Sequence, residues 1–393
     1  MENRLGGTLP VSLTQVRDSL LFLKNDPSAR LDINTLRKVL AIPLNPENRQ
    51  FTDFANTAIY APTAYLPQAA AIAVFRPLGA TPLQLLYAAR IANLLVWMLL
   101  VSAALRLMPF MRSTLAAIAL LPATLCIAAS ANADVLTNGL CWFLIAALLA
   151  KPSASLFSEK LLATVLVAAH KLIAMPLLLL GYFARMDRRT VTVLCIAGML
   201  AAIFWGRLAQ QWFIPYDAYN PVFRDTQTLN SGVNPARQMT FVAENPLFFI
   251  KTCTKSLFHA LPSMAAHFVG KFGWEKNYLP TGWILLLWMM LSAMLLSEKN
   301  PLSTRQRLGV GGIVVLYVGA FAITMYALWH AVGANHIGNW QARYFLPVVP
   351  LVVFCLASGF LEKWKSKIDL FALAILILNN AAMAYSIWMR YYS

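Results

Sequence analysis

The chain has 393 residues, of which 59% are hydrophobic and 12% charged, and its mean hydropathy is +0.61. This composition excludes an ordinary soluble domain, because several apolar segments approach the roughly 20 residues that span a bilayer core. A formal net charge of +16 would indicate nucleic acid in a soluble chain, but here much of the excess lies in short loops between apolar segments. We therefore expect an all-α, polytopic transmembrane helix bundle of about 9–11 membrane helices, some short or broken, and no nucleic-acid partner.

The first part of the chain, residues 1–58, is polar and mixed in charge and has no apolar core of a signal peptide. We expect it to form an extracytoplasmic loop region with short helices at 12–23 and 33–40. The transmembrane domain is expected over residues 59–393. It begins with residues 60–68, whose two prolines favour a bent approach to a short membrane helix.

A long helix is predicted over residues 82–107. Arg90, which lies about two turns into it, is either a snorkelling arginine or a candidate binding residue inside the bundle. Residues 113–129 and 135–150 are predicted to form a helical hairpin. Asp134 lies in its turn, where it is either a helix cap favoured by the helix dipole or an acid of a functional site.

The apolar segment 161–183 is interrupted by His170 and Lys171. It is either one spanning helix with a buried His–Lys pair or two half-helices that enter and leave on the same side. The positive-inside rule places the short basic loops in the cytoplasm, and the number of crossings then requires the half-helices. The basic residues behind this assignment are Arg106, Arg112, Lys151, Lys160, Arg185, Arg188, Arg189, Lys299, Arg305, Arg307, Lys363, Lys365 and Lys367.

A long polar connection, residues 213–280, is expected as a large outer loop. Within it, Lys251, Lys255 and His259 recur every four residues, which predicts an amphipathic helix over 246–269 lying in the plane of the membrane interface. The remaining spans are predicted near residues 191–212, 282–296, 308–329, 345–360 and 370–388.

Residues 335–347 pack polar and planar side chains between two apolar segments. Arg343 therefore lies at the mouth of a membrane helix, where a charge is costly unless it is paired or faces water. It is either an interfacial anchor or part of a site that binds a polar ligand. The neighbouring Asn339, Gln341 and His336 favour a site.

Several motifs follow one another along the chain at residues 60–68, 87–93, 120–122, 129–138, 273–274 with 279–280, and 339–347. In this order and spacing they resemble a bacterial family of membrane proteins called domain of unknown function family 2142, over nearly the whole chain. The resemblance implies a fold like that of the GT-C glycosyltransferases, in the bacterial inner membrane, with the active site on the extracytoplasmic side. It also implies a first helix and an acidic Asp-Glu motif that would precede Met1. We therefore expect a truncated chain or a misplaced start codon, and the alternative is a protein that has lost its catalytic base.

The resemblance implies transfer of a sugar from a polyprenyl-phosphate carrier to a cell-surface glycan or lipid. Such a reaction needs a base for the acceptor hydroxyl and cations for the departing phosphate. Arg343 is the leading phosphate-binding candidate because its planar fork suits bidentate contact. Asp134 and Asp53 are the catalytic candidates. The other candidate substrate-binding residues, each with an alternative role as cap, anchor or packing group, are Gln341, Tyr344, Arg90, Tyr65, Gln68, His170 and Lys171.

The five cysteines show no disulfide framework and no metal spacing, so the sequence assigns no cofactor, although this chemistry runs with or without a divalent metal. Two other functions stay open. A transporter or flippase of lipid-linked sugars would use broken helices and charges near the membrane midplane. A non-catalytic partner in envelope assembly is the third reading. The absence of an internal sequence repeat and the clustering of polar residues at one face favour the enzyme.

Overall fold

The computed structural model describes residues 3–26, 28–150, 156–184, 186–272 and 278–392. Five residues named above, Met1, Lys151, Arg185, Gly273 and Trp274, lie outside the described residues. In chain order, the strands and α-helices are β1 (Gly6–Pro10), α1 (Val11–Leu20), α2 (Phe22–Asn25), α3 (Ile33–Leu40), β2 (Arg49–Asp53), α4 (Ala55–Ala58), α5 (Leu66–Phe75), α6 (Pro82–Leu107), α7 (Arg112–Ala119), α8 (Pro122–Ala128), α9 (Asp134–Leu149), α10 (Phe157–His170), α11 (Leu180–Phe183), α12 (Arg188–Trp212), α13 (Pro235–Glu244), α14 (Pro246–Gly270), α15 (Thr281–Ser297), α16 (Thr304–Trp329), α17 (Val349–Leu356) and α18 (Lys365–Tyr391). The 3-10 segments that matter for the site are Pro62–Tyr65, Leu172–Leu179 and Ala342–Val348.

The fold is an all-α membrane helix bundle, as the composition predicted. Among the described residues, four helices are long and apolar enough to cross a membrane, namely α6, α12, α16 and α18. Shorter apolar helices are Asp134–Leu149, Leu172–Phe183, Thr281–Ser297 and Ala342–Leu356. The one sheet among the described residues is the antiparallel pair β1–β2, which the sequence analysis did not predict.

Helix α9 lies at the centre of the bundle, and nearly all of its side chains are buried. It packs closely on α6, because Gly139 leaves room for Leu100, whose Cδ1 lies 2.8 Å from where a Cβ on Gly139 would be. The buried Trp142 of α9 donates a hydrogen bond from Nε1 to the Leu346 carbonyl at 2.8 Å. This bond ties α9 to the Ala342–Val348 segment, which carries Arg343.

The basic regions around Arg112, Arg307 and Lys365 meet at one end of the bundle, which we call the basic end. The buried Glu298 accepts hydrogen bonds there from both hydroxyl groups of α7 and from the Lys365 ammonium, each at 2.9 Å. Arg307 donates from Nε to a carbonyl of α17 at 3.0 Å. Phe183, the last residue of α11, packs so closely on Gly309 that a Cβ there would meet its ring. The end of α11 therefore belongs to the basic end.

The N-terminal region lies at the other end of the bundle, which we call the open end. The Leu31 amide donates to the carbonyl of Tyr391, and Arg390 donates to the carbonyl of Ala29, at 2.7 and 2.8 Å. Since α18 begins at the basic end with Lys365, its last turn reaches the open end. The polar region before α5 and the basic loops are thus separated by the length of the bundle.

The segment after α10 folds back along α10, and this decides between the two predictions for residues 161–183. Lys171 leaves helical geometry with φ −148° and ψ 93°. Thr164, before the break, and Met175, after it, both lie within 3.1 Å of the position that a Cβ on Gly198 would occupy. A continuous helix would hold Thr164 and Met175 about 16 Å apart. The two half-segments are therefore neighbours, and the single straight helix is wrong.

Two other helices differ from the prediction. The helix predicted over 113–129 is interrupted, since α7 ends at Ala119 and α8 begins at Pro122, which has no N–H to continue the helix. The helix predicted at 345–360 is shorter: the chain runs through a 3-10 segment containing Pro347 before α17. The amphipathic stretch predicted over 246–269 does form one helix, α14.

Candidate functional site

Three charged side chains from distant parts of the chain meet near the open end. Asp134 begins α9, Lys171 occupies the break after α10, and Arg343 lies in the 3-10 segment before α17. The Lys171 ammonium lies 2.5 Å from Asp134 Oδ1, and Arg343 Nε lies 4.0 Å from Oδ2. The Asp134 and Lys171 side chains are 12% and 18% exposed, whereas Arg343 is 41% exposed. The carboxylate is therefore largely buried between two cations, and Arg343 faces open space.

Asp134 is not the cap of its helix. Asn132 Oδ1 accepts hydrogen bonds from the amides of Asp134 and Val135 at 2.8 and 3.2 Å. A side-chain oxygen that accepts from the first amides satisfies the donors that a helix start leaves unpaired. The Asp134 carboxylate is consequently available for the two cations.

Arg343 is bound in a way that a simple interfacial anchor does not require. Its Nη2 donates to the Tyr344 hydroxyl at 3.0 Å, and its Cζ lies 4.9 Å from the centroid of the Tyr344 ring. The Lys171 ammonium lies 5.4 Å from the same ring centroid. Cations over an aromatic face are stabilised by the ring quadrupole. Tyr344 thus joins the two cations on one side while Asp134 joins them on the other.

A cavity of about 1090 Å³ opens beside Arg343. Its walls come from α8, the turn before α9, α14 and residues 335–343. No acidic side chain is found among the described residues that line it. Its cationic and imidazole lining groups are Lys255, His259, His267, Lys271, His336 and Arg343. The cavity therefore suits an anionic ligand, and the predicted basic stripe of α14 forms one of its walls.

The loop that brings Arg343 to the cavity is held by side chains. The Gly338 amide donates to His330 Nε2 and the Ile337 amide donates to Ser256 Oγ, each at 2.8 Å. Asn339 adopts a left-handed backbone conformation, with φ 60°. Ile337 is buried as well. These bonds fix the loop before any ligand arrives.

The turn between α8 and α9 is held by two of the predicted substrate-binding residues, Arg90 and Gln68, and by Asn93. Arg90 Nε donates to the Ala129 carbonyl at 2.8 Å, and Gln68 Nε2 donates to the Asn132 carbonyl at 2.9 Å. The buried Asn93 donates to the Ser130 carbonyl at 2.7 Å. Arg90 and Gln68 therefore donate hydrogen bonds to the backbone, and these bonds support the turn that precedes Asp134.

His170 is held between two hydroxyl groups. Its Nε2 lies 2.9 Å from Thr63 Oγ1, and its Nδ1 lies 3.1 Å from Thr137 Oγ1. This arrangement fixes the break that places Lys171. Tyr65 is half-buried at the end of the Pro62–Tyr65 segment, and Gln341 lines the cavity.

Asp53 belongs to a different set of contacts. Arg4 pairs with its carboxylate and also donates to Oδ1 from Nε at 3.1 Å, and the Tyr219 hydroxyl donates to Oδ1 at 2.6 Å. Burial disfavours the charged carboxylate, but the hydrogen bonds from Arg4 and Tyr219 outweigh it and hold the pKa of Asp53 below its ordinary value. Burial and the bond to Asp53 raise the pKa of Tyr219 to about 12. Asp53 thus fastens β2 to the connection that contains Tyr219, a role that the sequence analysis missed.

The sequence analysis also missed two residues that line the cavity. His267 and Lys271 continue the spacing of Lys255 and His259 along α14, and this periodicity was the available signal. Within the described residues, no group of three or more His, Cys, Asp or Glu side chains is arranged to hold a metal ion.

The bundle and its long apolar helices define the chain as a polytopic helical membrane protein with a charged cluster near one end. The family model described as "Predicted membrane protein (DUF2142)" matches residues 5–352, and the chain belongs to this family. The resemblance seen in the motifs is thereby confirmed. A comparison with curated proteins and with solved structures finds no match.

Proposed function

We propose that this protein transfers a sugar from a polyprenyl-phosphate carrier to a cell-surface glycan or lipid on the extracytoplasmic side of the bacterial inner membrane. One observation carries the proposal. Arg343 and Lys171 converge on Asp134 at the edge of a cavity in which the described charged lining groups are cationic. Two cations at one point, one of them partly exposed, are what a lipid-linked phosphate requires.

The orientation of the protein rests on the distribution of charge. Basic residues in short loops favour the cytoplasmic side, so we assign the basic end to the cytoplasm. The open end, with the N-terminal region and the cavity, then faces outward. A carrier lipid lying in the outer leaflet would have its phosphate near the level at which Arg343 faces the cavity.

The three charged residues take different roles in this proposal. Arg343 supplies two parallel donors to the phosphate, which a planar guanidinium does better than an ammonium. Asp134 holds Arg343 and Lys171 in place before the carrier binds. The incoming phosphate competes for both cations, which leaves the carboxylate able to accept the proton of the acceptor hydroxyl.

A transporter or flippase is the second candidate, and the fold-back at Lys171 favours it. Broken segments with charges inside the bundle are typical of transport sites. A flippase would move the carrier across the membrane and leave the bond between sugar and phosphate intact. Measuring cleavage of that bond separates the two candidates.

The test uses membranes that contain the protein, a panel of synthetic polyprenyl-phosphate hexoses and a crude envelope acceptor fraction. Arg343→Lys and Arg343→Gln are compared at matched protein levels. We expect both to lose about a hundredfold in transfer rate, because a phosphate-stabilising contact is worth about 2–3 kcal/mol and Lys supplies only a point charge. The matched control is Arg207→Lys, at an exposed arginine of α12, which should be silent.

Full transfer by Arg343→Lys would show that Arg343 is an anchor. Failure of both Arg343 variants to accumulate would show that it is a fold element. In either case the site assignment is wrong. A wild-type protein that moves the carrier but releases no sugar would replace the enzyme with the flippase.

A further inference from the structure

One wall of the cavity is a regular stripe on a single helix. Lys255, His259, His267 and Lys271 line the cavity along α14 and the residue after it, and we call these four residues the α14 stripe. At 1.5 Å per residue, Lys255 and Lys271 are about 24 Å apart along the helix axis. The stripe is thus as long as most of a membrane helix.

A single phosphate does not explain this stripe. Arg343 and Lys171 already converge on one point, and hydrogen-bonding cations reach an anion only within about 3 Å. Groups distributed over about 24 Å do not meet at one phosphate. With a lysine at each end and two imidazoles between them, the stripe therefore matches an extended ligand with negative charges far apart along its length, and no described lining residue is acidic and would repel it.

A second wall, which the loop around Ile337 provides, adds hydrogen-bonding groups that suit sugar hydroxyls. Asn335 and His336 are exposed there, and Asn339 and Gln341 follow. Amide and imidazole groups both donate and accept, as hydroxyl-rich ligands require. The volume of about 1090 Å³ is at the upper end of the range for small-molecule pockets.

We infer that the cavity binds an acidic oligosaccharide along the α14 stripe, and that this oligosaccharide is the acceptor of the transferred sugar. The role of this oligosaccharide as acceptor rests on the proposed function, whereas its binding to the cavity does not. The ligand lies with its charged groups against α14 and with one end near Arg343, where the sugar would be added.

The test measures binding by the full protein in nanodiscs of zwitterionic lipid, with oligogalacturonate as the probe. We expect oligogalacturonate to bind at least tenfold more tightly than a neutral malto-oligosaccharide of equal length. Polyglutamate of equal charge should bind at least tenfold more weakly than oligogalacturonate, because it lacks the hydroxyl groups that would hydrogen-bond to the second wall. Equal binding of the neutral saccharide, or of polyglutamate, would overturn the assignment.

Variants locate the binding. Lys255→Gln and Lys271→Gln should each weaken oligogalacturonate binding about fivefold, since a solvated ion pair is worth up to about 1 kcal/mol. The matched control is Lys251→Gln, at an exposed lysine one turn before Lys255 that does not line the cavity. If Lys251→Gln weakens binding as much as Lys255→Gln does, the ligand lies on the outer surface of α14 and the inference fails.

The two proposals fail in different ways. If oligogalacturonate binds as described but no sugar leaves the carrier, the proposed function fails and the saccharide site stands. If sugar is transferred to neutral acceptors and oligogalacturonate does not bind, the inference fails and the function stands.

Discussion

Replacing Asp134 with asparagine separates an ion-pairing acid from a helix cap. Asparagine caps helices as well as aspartate does, so Asp134→Asn would be nearly silent if the side chain served the start of α9. In the structure, Asn132 does the capping, and Asp134 lies 2.5 Å from the Lys171 ammonium and 4.0 Å from Arg343. We therefore expect Asp134→Asn to destabilise the protein markedly.

The magnitude follows from burial. Removing one partner of a buried ion pair costs about 3–5 kcal/mol, because the other charge is left uncompensated. Lys171 is 18% exposed and loses its carboxylate, whereas Arg343 is 41% exposed and can turn towards water. The expected loss is therefore at the lower end, about 3 kcal/mol. Adding Lys171→Met removes the stranded ammonium, so the double variant should be more stable than Asp134→Asn alone.

The assay measures the free energy of unfolding of the purified protein by SDS in mixed micelles. Circular dichroism monitors unfolding of the wild type, both single variants and the double variant. A change of less than about 0.5 kcal/mol in Asp134→Asn would refute the ion-pair account. A double variant less stable than Asp134→Asn alone would also contradict it, because no relief of an unpaired charge would then be present.

Three further predictions concern topology and the N-terminal region. In a chain whose five native cysteines are replaced, a cysteine at Asn335 should react from outside intact spheroplasts and one at Ser366 should not, and the reverse pattern would overturn the orientation. Reporters fused after Lys151 and after Met186 should both read as cytoplasmic, and opposite locations would show a full crossing between them. Because the pKa of Asp53 is lowered by folding, its stabilisation is present above the unfolded value of about 4 and is lost as pH falls through the folded pKa. In the wild type, the rate of limited proteolysis within residues 3–58 should therefore rise steeply below about pH 4. The variant Asp53→Asn should be cleaved readily already at neutral pH. Equal resistance of the two proteins at neutral pH would contradict this role of Asp53.

The long helices were predictable because apolar length determines them. Residues 82–107 were predicted as a helix, and α6 has those bounds. The break at His170 and Lys171 was also predictable, since the Lys171 charge inside an apolar run is costly in a continuous membrane helix. In both cases the signal is local to the segment.

The contacts of the site were not predictable, because they join segments that are far apart in the sequence. Arg343 and Lys171 were both predicted as substrate-binding residues, but no sequence pattern indicates that both lie beside Asp134. Helix packing alone brings the starts of α9 and of the Ala342–Val348 segment together. The same holds for Asp53, whose partners are Arg4, just before β1, and Tyr219, in the connection after α12.

The sheet escaped prediction for a different reason. Strand β1 contains two glycines and ends in a proline, which are depleted in strands. Gly6 is required there, since a Cβ would lie 2.0 Å from the Thr52 carbonyl oxygen. The close approach of the two strands, rather than their intrinsic propensity, explains the pairing.

The proposed contact between the Arg343 guanidinium and the phosphate of a lipid-linked sugar can be observed directly. Its most direct test is a cryo-electron microscopy structure of the protein in nanodiscs loaded with a synthetic polyprenyl-phosphate hexose. We predict phosphate density within hydrogen-bonding distance of both Arg343 and Lys171, with the lipid tail running along the apolar surface and the sugar in the cavity. Phosphate density elsewhere on the bundle, with Arg343 still turned to Asp134 and Tyr344, would contradict the account.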